Sequence, residues 1–184
     1  TKEGCAEGGC GACTIVLGEI INNNIYYKSI NSCITFLPVL NSKQLILIEN
    51  LSSDNGKLHT VQNAMVNFHG SQCGFCTPGF VMSMFAMFKN NKKINNDLIK
   101  DSLSGNLCRC TGYRPIIDAA KSLNNLSRLD HFDKNKNITL KLLRKIKSKN
   151  IKIVNKNKKY FAPCTIKDLK KILKNVKDAK YLSG

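Results

Sequence analysis

Residues 3–13 of this 184-residue chain read EGCAEGGCGAC, and no other stretch says more about the fold. Cys5, Cys10 and Cys13 stand in a C-x4-C-x2-C arrangement, and four of the eleven residues are glycines. Glycines let a backbone wrap closely around a bound group and turn N–H groups toward it. The stretch therefore predicts a tight loop that directs three thiols at one centre.

A fourth cysteine, Cys33, follows Cys13 after nineteen intervening residues. The complete C-x4-C-x2-C…C spacing is typical of a plant-type 2Fe–2S site, in which four thiolates hold an anionic cluster. Residues 14–18 predict a short buried strand, and residues 19–34 predict a hairpin that turns at 22–24 and returns Cys33 to the loop. A four-cysteine zinc site is the alternative, but the glycine-rich loop and the long return favour iron–sulfur.

A second group of four cysteines stands further along the chain, in a C-x2-C step and a C-x-C step. Its members are Cys73, Cys76, Cys108 and Cys110. Such close spacing suits two thiolates on one metal centre better than one disulfide per step. Judged alone, this group leaves a 2Fe–2S cluster and a zinc knuckle open; the presence of the first group favours a second 2Fe–2S cluster.

Apolar periodicity around the second group predicts four helices. They are expected at residues 61–68, from Pro78 onward, at residues 97–103 and from Pro115 onward. Thr60, Thr77 and Asn96 are the predicted N-caps. Both cysteine pairs then lie just before helix N-termini, whose partial positive charge suits an anionic cluster. The apolar residues after Pro78 are interpreted as ordinary core.

Three segments resemble, in this order, the iron–sulfur portion of the xanthine dehydrogenase and aldehyde oxidase family of molybdenum hydroxylases. They are residues 3–14 (EGCAEGGCGACT), 69–79 (HGSQCGFCTPG) and 105–116 (GNLCRCTGYRPI). The resemblance covers about residues 1–126 and implies an α+β chain. It implies a ferredoxin-like β-grasp domain at 1–52, truncated at its N-terminus because the family's first hairpin and helix would precede Thr1. A four-helix 2Fe–2S domain would occupy residues 53–126.

The resemblance also implies a function. Electrons would leave a molybdopterin centre, pass through the helical-domain cluster and the ferredoxin-like cluster, and reach FAD and then NAD. The implied ligands are Cys5, Cys10, Cys13 and Cys33 for the ferredoxin-like cluster, and Cys73, Cys76, Cys108 and Cys110 for the other. Gln72 and Cys110 would contact the pterin.

As a component of a cytoplasmic oxidoreductase of purine catabolism, the chain would carry no catalytic residue itself. It would join a molybdenum-binding large subunit or domain and an FAD domain in a hetero-oligomer. Residues 114–116, at the end of the third segment, are most similar to xanthine dehydrogenase. The nearer alternative is the small subunit of an aldehyde or carbon monoxide oxidising relative.

The C-terminal part carries most of the net charge of +17, with 17 Lys or Arg against 2 Asp or Glu in residues 134–184. No aromatic residue lies within the basic run from Lys134 to Lys159, so we interpret 127–159 as a solvated linker and expect no nucleic-acid partner. A nonenzymatic zinc-binding module with a basic nucleic-acid tail is the alternative from another functional class. No apolar stretch reaches the length of a membrane helix.

The last segment, residues 160–184, resembles the start of an FAD-binding domain. A helix at 166–175 capped by Thr165 and a strand at 179–184 are predicted, with Gly184 as a first flavin-loop residue. Cys164 belongs to neither group of four and is interpreted as an ordinary thiol.

Overall fold

The computed structural model describes residues 1–53, 55–146 and 149–182. It divides into two compact units, Thr1–Lys145 and Ile146–Gly184. Among the helices of the described residues, none has both the length and the apolar character needed to cross a bilayer.

A three-stranded antiparallel sheet follows the first cysteine loop. Strands β1 (Thr14–Ile21) and β2 (Asn24–Asn31) form a hairpin, and β3 (Gln44–Ile46) pairs with the other side of β1. The turn residues Asn22 and Asn23 have φ angles of 48° and 64°. Two left-handed residues form a type I′ turn, whose twist matches that of the strands. The predicted hairpin is confirmed, and β1 extends beyond residues 14–18.

Four helices follow the sheet, as predicted. They are α1 (Thr60–Asn67), α2 (Thr77–Asn90), α3 (Asn96–Leu103) and α4 (Arg114–Ser122). Helix α1 packs on α2 and α4, and α3 also packs on α2 and α4.

The predicted N-caps are wrong by one residue. His59, not Thr60, caps α1, because its Nδ1 accepts a hydrogen bond from the Val61 N–H at 3.2 Å. Asn95, not Asn96, caps α3 by accepting from the Leu98 N–H at 2.8 Å. In both cases the capping residue keeps an extended backbone while the next residue is already helical. Likewise, α2 begins at its predicted cap, residue 77, and its N-cap is the preceding cysteine.

Helix α2 lies at the centre of the first unit. All ten residues from Gly79 to Phe88 are buried. One side of the helix packs on β1 and β2, and other sides pack on α1 and α3. The helix is therefore shared by the sheet and the helical bundle, and a single hydrophobic core runs through both. The interpretation of its apolar residues as core is confirmed.

The stretch at 127–159 differs from a solvated linker. It contains α5 (His131–Lys134), α6 (Lys136–Lys145) and strand β4 (Ile151–Asn155). Its Arg128 guanidinium donates to the carbonyl oxygens of Phe88 and Asn91. The last carbonyls of a helix have no partner within the helix, so this contact holds the chain to the end of α2.

In the second unit, β4 pairs with β5 (Lys158–Ala162), and α7 (Ile166–Asn175) follows. Thr165 caps α7 by accepting from the Asp168 N–H at 3.1 Å, which confirms that prediction. Residues 179–182 form no strand, contrary to expectation. The remaining two residues of the predicted strand, Gly184 among them, lie outside the described residues.

A buried ion network ties α5 to α1 and α2. The Nε2–H of His59 donates to Asp130 at 2.9 Å, and the Lys89 ammonium contacts both carboxylate oxygens of Asp130 at 3.0 Å and Asp133 at 2.6 Å. The side chains of His59, Lys89 and Asp130 are only 2%, 5% and 8% exposed. Burial favours a raised pKa for Asp130, but the hydrogen bond from His59 and the charge of Lys89 outweigh it and hold that pKa well below its usual range.

We expect Lys89→Met to lower the free energy of unfolding by about 3 kcal/mol, because it leaves a buried carboxylate without its cation. Urea unfolding followed by circular dichroism measures the change. Lys100→Met is the matched control: Lys100 lies 3.8 Å from Asp97 and both side chains are exposed, so its effect should stay within about 0.5 kcal/mol. Equal effects of the two substitutions would contradict a structural role for the network.

The same network should make stability depend on pH. A carboxyl with a lowered folded-state pKa stabilises the fold above its unfolded pKa of about 3.9 and loses that contribution as the pH falls further. The unfolding free energy of the parent protein should therefore fall below about pH 4. In Lys89→Met this fall should be shallower, since part of the cause of the lowered pKa is gone.

Candidate iron–sulfur centres

The first cysteine loop surrounds the sulfur of Cys5 with backbone N–H groups. Those of Gly9 and Cys10 each donate to the Cys5 Sγ at 3.3 Å. Hydrogen bonds from the backbone of Glu7 and Cys10, from the Cys10 thiol and from the backbone of Gly9 lower the pKa of Cys5 to about 7. The loop is thus arranged to hold negative charge on sulfur, as an anionic cluster requires.

Cys13 and Cys33 form a second thiol pair beside this loop. Cys13 lies immediately before β1, and Cys33 lies in the 3-10 turn Ser32–Ile34 after β2, so the hairpin brings them together. Their sulfurs are 3.3 Å apart. The N–H and hydroxyl of Ser32 both donate to the Cys13 carbonyl, at 3.3 and 2.8 Å, which fixes the end of the hairpin against the loop.

The second set of thiols also forms two pairs. Cys73 and Cys110 are close enough for each thiol to shift the pKa of the other, and so are Cys76 and Cys108. Burial and contact with Cys108 raise the pKa of Cys76 to about 12, whereas the Phe75 backbone N–H and the Cys110 thiol lower that of Cys73. Cys73 and Cys110 are exposed, while Cys108 is buried. The set therefore has one pair at the surface and one pair toward the core.

The raised pKa values of Cys33 and Cys110 indicate what each set could hold. The pKa of Cys33 is raised by burial and then by the neighbouring Cys13 and Cys5. The pKa of Cys110 is raised by its hydrogen bond with Cys73. Thiols that hinder one another's ionisation become thiolates together only beside a cationic centre.

The pairing matches the demands of a 2Fe–2S cluster, in which four thiolates serve two irons. Within the described ranges, no group of three or more His, Cys, Asp or Glu side chains is arranged around a single metal ion. Two pairs of thiols offer two donors to each of two iron positions. All nine cysteines are free thiols, so the sets are not disulfide frameworks. Cys164 is exposed, lies in the second unit and joins neither set.

Thr111 and Tyr113 support Cys108, a role that their sequence motif alone does not indicate. The hydroxyl oxygen of Tyr113 accepts from the Cys108 N–H at 3.0 Å, and the Thr111 hydroxyl lies 3.2 Å from the Cys108 sulfur. Tyr113 has a φ of 67°, a left-handed conformation that its N–H bond to Thr111 helps to hold. Their position directly after the C-x-C step is the feature of the sequence that could have indicated this supporting role.

A cation from the first loop reaches the second set. The Lys2 ammonium donates to the Gly74 carbonyl at 2.9 Å and lies 5.4 Å from the centre of the Phe75 ring. Its charge also adds to the lowering of the pKa of Cys73. Lys2 is therefore a candidate for tuning the charge balance at the second set, and no spacing rule in the sequence pointed to it.

Gln72, the predicted pterin contact, is exposed and stands directly before Cys73 in the same loop. Because Cys73 contacts Cys110, the structure brings the exposed pair of the second set and the Gln72 backbone to one edge. The exposed apolar side chains of Phe75 and Leu107 belong to the same two loops. Exposed apolar groups beside a polar site are typical of an interaction surface.

Comparison with known proteins places these residues in a family. Residues 47–121 match the profile of the 2Fe-2S binding domain. The chain is 48% identical to the xanthine dehydrogenase of Emericella nidulans and 46% identical to aldehyde oxidase 1 of Oryctolagus cuniculus, each over 124 residues. Each match covers 66% of this chain, and the chain spans 9% of the length of these relatives.

Solved structures show the same relationship. Quinoline 2-oxidoreductase from Pseudomonas putida 86 superposes with a TM-score of 0.58 at 30% identity, covering 79% of this chain and 75% of that one. Aldehyde oxidoreductase from Desulfovibrio gigas superposes with a TM-score of 0.58 at 33% identity, covering 67% of this chain and 13% of that one. The matched 2Fe-2S domain includes all four cysteines of the second set, which favours iron–sulfur over zinc there.

We expect serine substitutions to separate the two sets. Cys13→Ser should remove the iron of the first set alone, and Cys76→Ser that of the second set alone, because each set lies in its own pair of loops. Each variant should retain about half of the iron and labile sulfide of the parent protein. Cys164→Ser is the control and should retain all of it. Loss of all iron from either variant alone would contradict two separate centres.

We expect Lys2→Met to lower the reduction potential of the second-set cluster, because a nearby positive charge favours the more negative, reduced state. The shift should be about 10–40 mV, the scale of one solvent-exposed charge interaction. A redox titration followed by electron paramagnetic resonance (EPR) measures it. Lys28→Met removes an exposed lysine from β2 and is the control; an equal shift in both variants would exclude a specific role for Lys2.

Proposed function

The chain belongs to the xanthine dehydrogenase and aldehyde oxidase family of molybdenum hydroxylases, whose iron–sulfur part it contains, and on this premise we propose that it is an electron relay. Electrons from a molybdopterin centre pass through the second-set cluster, then through the first-set cluster, to FAD and on to NAD. The chain contributes ligands and surroundings, and the bound clusters supply the one-electron chemistry.

The contact between the two cysteine loops is the observation that carries this proposal. The N–H of Leu107, next to Cys108, donates to the carbonyl of Cys10 at 2.9 Å. A residue adjacent to a ligand of one set is thus hydrogen-bonded to a ligand of the other. Electron transfer requires centres at a short and constant distance, and these loops meet that requirement within one folded unit.

The surroundings of the sulfurs support the same proposal. Backbone N–H groups around Cys5 stabilise the negative charge that an added electron increases. Tyr113 and Thr111 hold Cys108 in place, and burial limits access of water to it. These residues bind and orient; the described residues need perform no acid–base step.

We propose one partner for the exposed surface around Gln72 and Cys110 and another for the exposed surface near Cys33. The edge with Gln72 and Cys110 would meet the pterin on a molybdenum-binding domain or large subunit. Near Cys33, the exposed side chains of Ile34, Phe36 and Leu37 would face the FAD domain. Large exposed apolar side chains around a site are typical of surfaces that another domain covers. The assembled protein would be a hetero-oligomer or a fused chain.

Xanthine dehydrogenase, an enzyme of purine catabolism, is the member we propose, on the Arg114–Ile116 ending and the 48% identity to the Emericella nidulans enzyme. An aldehyde-oxidising relative is the second candidate, supported by the 46% identity to aldehyde oxidase 1. We further propose that residues 160–184 begin an FAD-binding domain. We also propose that the protein works in the cytoplasm, where free thiols persist.

The order of the relay can be tested in the assembled, cofactor-loaded enzyme. After mixing with reducing substrate, rapid freezing and EPR should show reduction of both clusters in the parent protein. In Cys13→Ser the second-set cluster should still be reduced, while FAD reduction should be lost. In Cys76→Ser neither the first-set cluster nor FAD should be reduced. FAD reduction at the parental rate in Cys76→Ser would contradict the relay.

The pterin contact is tested by Gln72→Ala in the same experiment. Substrate-driven reduction of the second-set cluster should slow, whereas its direct reduction by dithionite should not change. Equal rates in variant and parent under both conditions would show that Gln72 has no part in this step.

A further inference from the structure

Asn106 is a buried polar residue whose side chain joins three segments of the chain. Its Nδ2 donates to the Gly11 carbonyl at 3.1 Å and to the Thr14 hydroxyl at 3.2 Å. Its Oδ1 accepts from the Ser83 hydroxyl at 2.6 Å. Only 4% of Asn106 is exposed. Both amide hydrogens and the amide oxygen therefore have partners, which is what a buried amide needs.

Each of these segments carries proposed cluster ligands. Gly11 lies between Cys10 and Cys13 of the first set. Asn106 itself stands two residues before Cys108 of the second set, and Ser83 lies on α2, which starts after Cys76. The amide is thus a buried side-chain bridge between a loop of each set and the helix that leads away from the second set.

Two glycines show how closely the loops approach. A Cβ at Gly11 would lie 2.3 Å from the Gly105 carbonyl oxygen, and one at Gly79 would lie 2.1 Å from the Gly11 carbonyl oxygen. Real side chains do not occupy such positions, so backbone meets backbone at this point. The Gly11 carbonyl lies in this contact, and it accepts from the Asn106 amide as well as from the hydroxyl and the N–H of Thr14.

We infer that Asn106 is a positioning residue that sets the distance and orientation between the two clusters. The inference rests on the proposed function, since it concerns the relay between the same two sites. Without the Asn106 donor the Gly11 carbonyl would shift toward its remaining donors, the hydroxyl and the N–H of Thr14. Moving Gly11 moves the residues between Cys10 and Cys13. A change in this distance changes both the magnetic coupling between the reduced clusters and the rate of electron transfer.

The substitution Asn106→Asp isolates this role, because the two side chains have nearly the same shape. The carboxylate still accepts from Ser83 but cannot donate to Gly11 or Thr14. It also places a buried charge beside the Gly11 carbonyl oxygen, which pushes the loop away. The fully reduced protein, with both clusters present, is then examined by low-temperature EPR for the mutual splitting of the two signals.

Asn90→Asp is the matched control. Asn90 also ties α2 to the sheet, since its Nδ2 donates to the Tyr27 carbonyl at 2.6 Å and its Oδ1 accepts from the Tyr27 N–H at 3.0 Å. It lies at the last residue of α2, about 20 Å along the axis from the first. It therefore disturbs the contact between sheet and helix without touching the cysteine loops.

In Asn106→Asp we expect loss of the mutual splitting and slower equilibration of one electron between the clusters after pulse reduction. The iron content and the g-values of each cluster should remain those of the parent protein. Asn90→Asp should retain the parental splitting. Parental splitting in Asn106→Asp with full iron content would overturn the inference, and equal loss of splitting in both variants would do so as well.

If Asn106→Asp loses a cluster, the variant Ser83→Ala tests the positioning role of Asn106 instead. It keeps the Asn106 amide but removes the hydroxyl that orients it, so the amide no longer holds Gly11 and Thr14 in fixed positions. A weakened splitting with full iron supports the positioning role, and an unchanged splitting overturns it. Failure of the proposed function would look different: the parent protein itself would lack two cluster signals.

Discussion

The packing of α2 against β1 and β2 is the constraint on which the arrangement of the two cysteine sets depends. The first set is formed by a loop and a hairpin, and the second by two loops that precede helices. Separately folded, these parts could change their distance freely. A helix buried at every position from Gly79 to Phe88 leaves no solvent layer between sheet and bundle. Their shared core makes the distance between the sets a property of the fold.

The two sets stabilise thiolate charge by different means. Around Cys5 the chain uses backbone N–H groups, which a glycine-rich loop can turn inward. At the second set side chains add to the backbone N–H of Phe75, with the Thr111 hydroxyl at Cys108 and the Lys2 ammonium beside the Gly74 carbonyl. Backbone donors are fixed by the loop and cannot be replaced singly, whereas side-chain donors can be substituted. Variation of the potential by single substitutions is therefore easier at the second set.

The sequence was sufficient for features that depend on local spacing. Cysteine spacing, the turn at Asn22 and Asn23 and the apolar periodicity of α2 all involve neighbouring residues, and the hairpin and helices appear where they were expected. Contacts between distant segments were not predictable in this way. Asn106 and Gly11 are 95 positions apart, and nothing in the spacing of either indicates the other. The contact of Arg128 with the end of α2 was also not predictable, because the high positive charge of the C-terminal part is typical of solvated chain.

The stability of the fold and the arrangement of the cysteine loops depend on opposite ends of one helix. Cys76 and the close approach of Gly79 to Gly11 lie at the start of α2, and Lys89, with its buried carboxylates, lies at its end. The 14 residues of α2 span about 21 Å. The cluster end carries backbone contacts that tolerate no side chain, and its exposed thiols need a cationic centre to ionise together. The other end contains a fully paired ion network and aromatic packing that need no cofactor. The paired end of α2 therefore holds the helix in register, and the cysteine loops at its start keep their geometry.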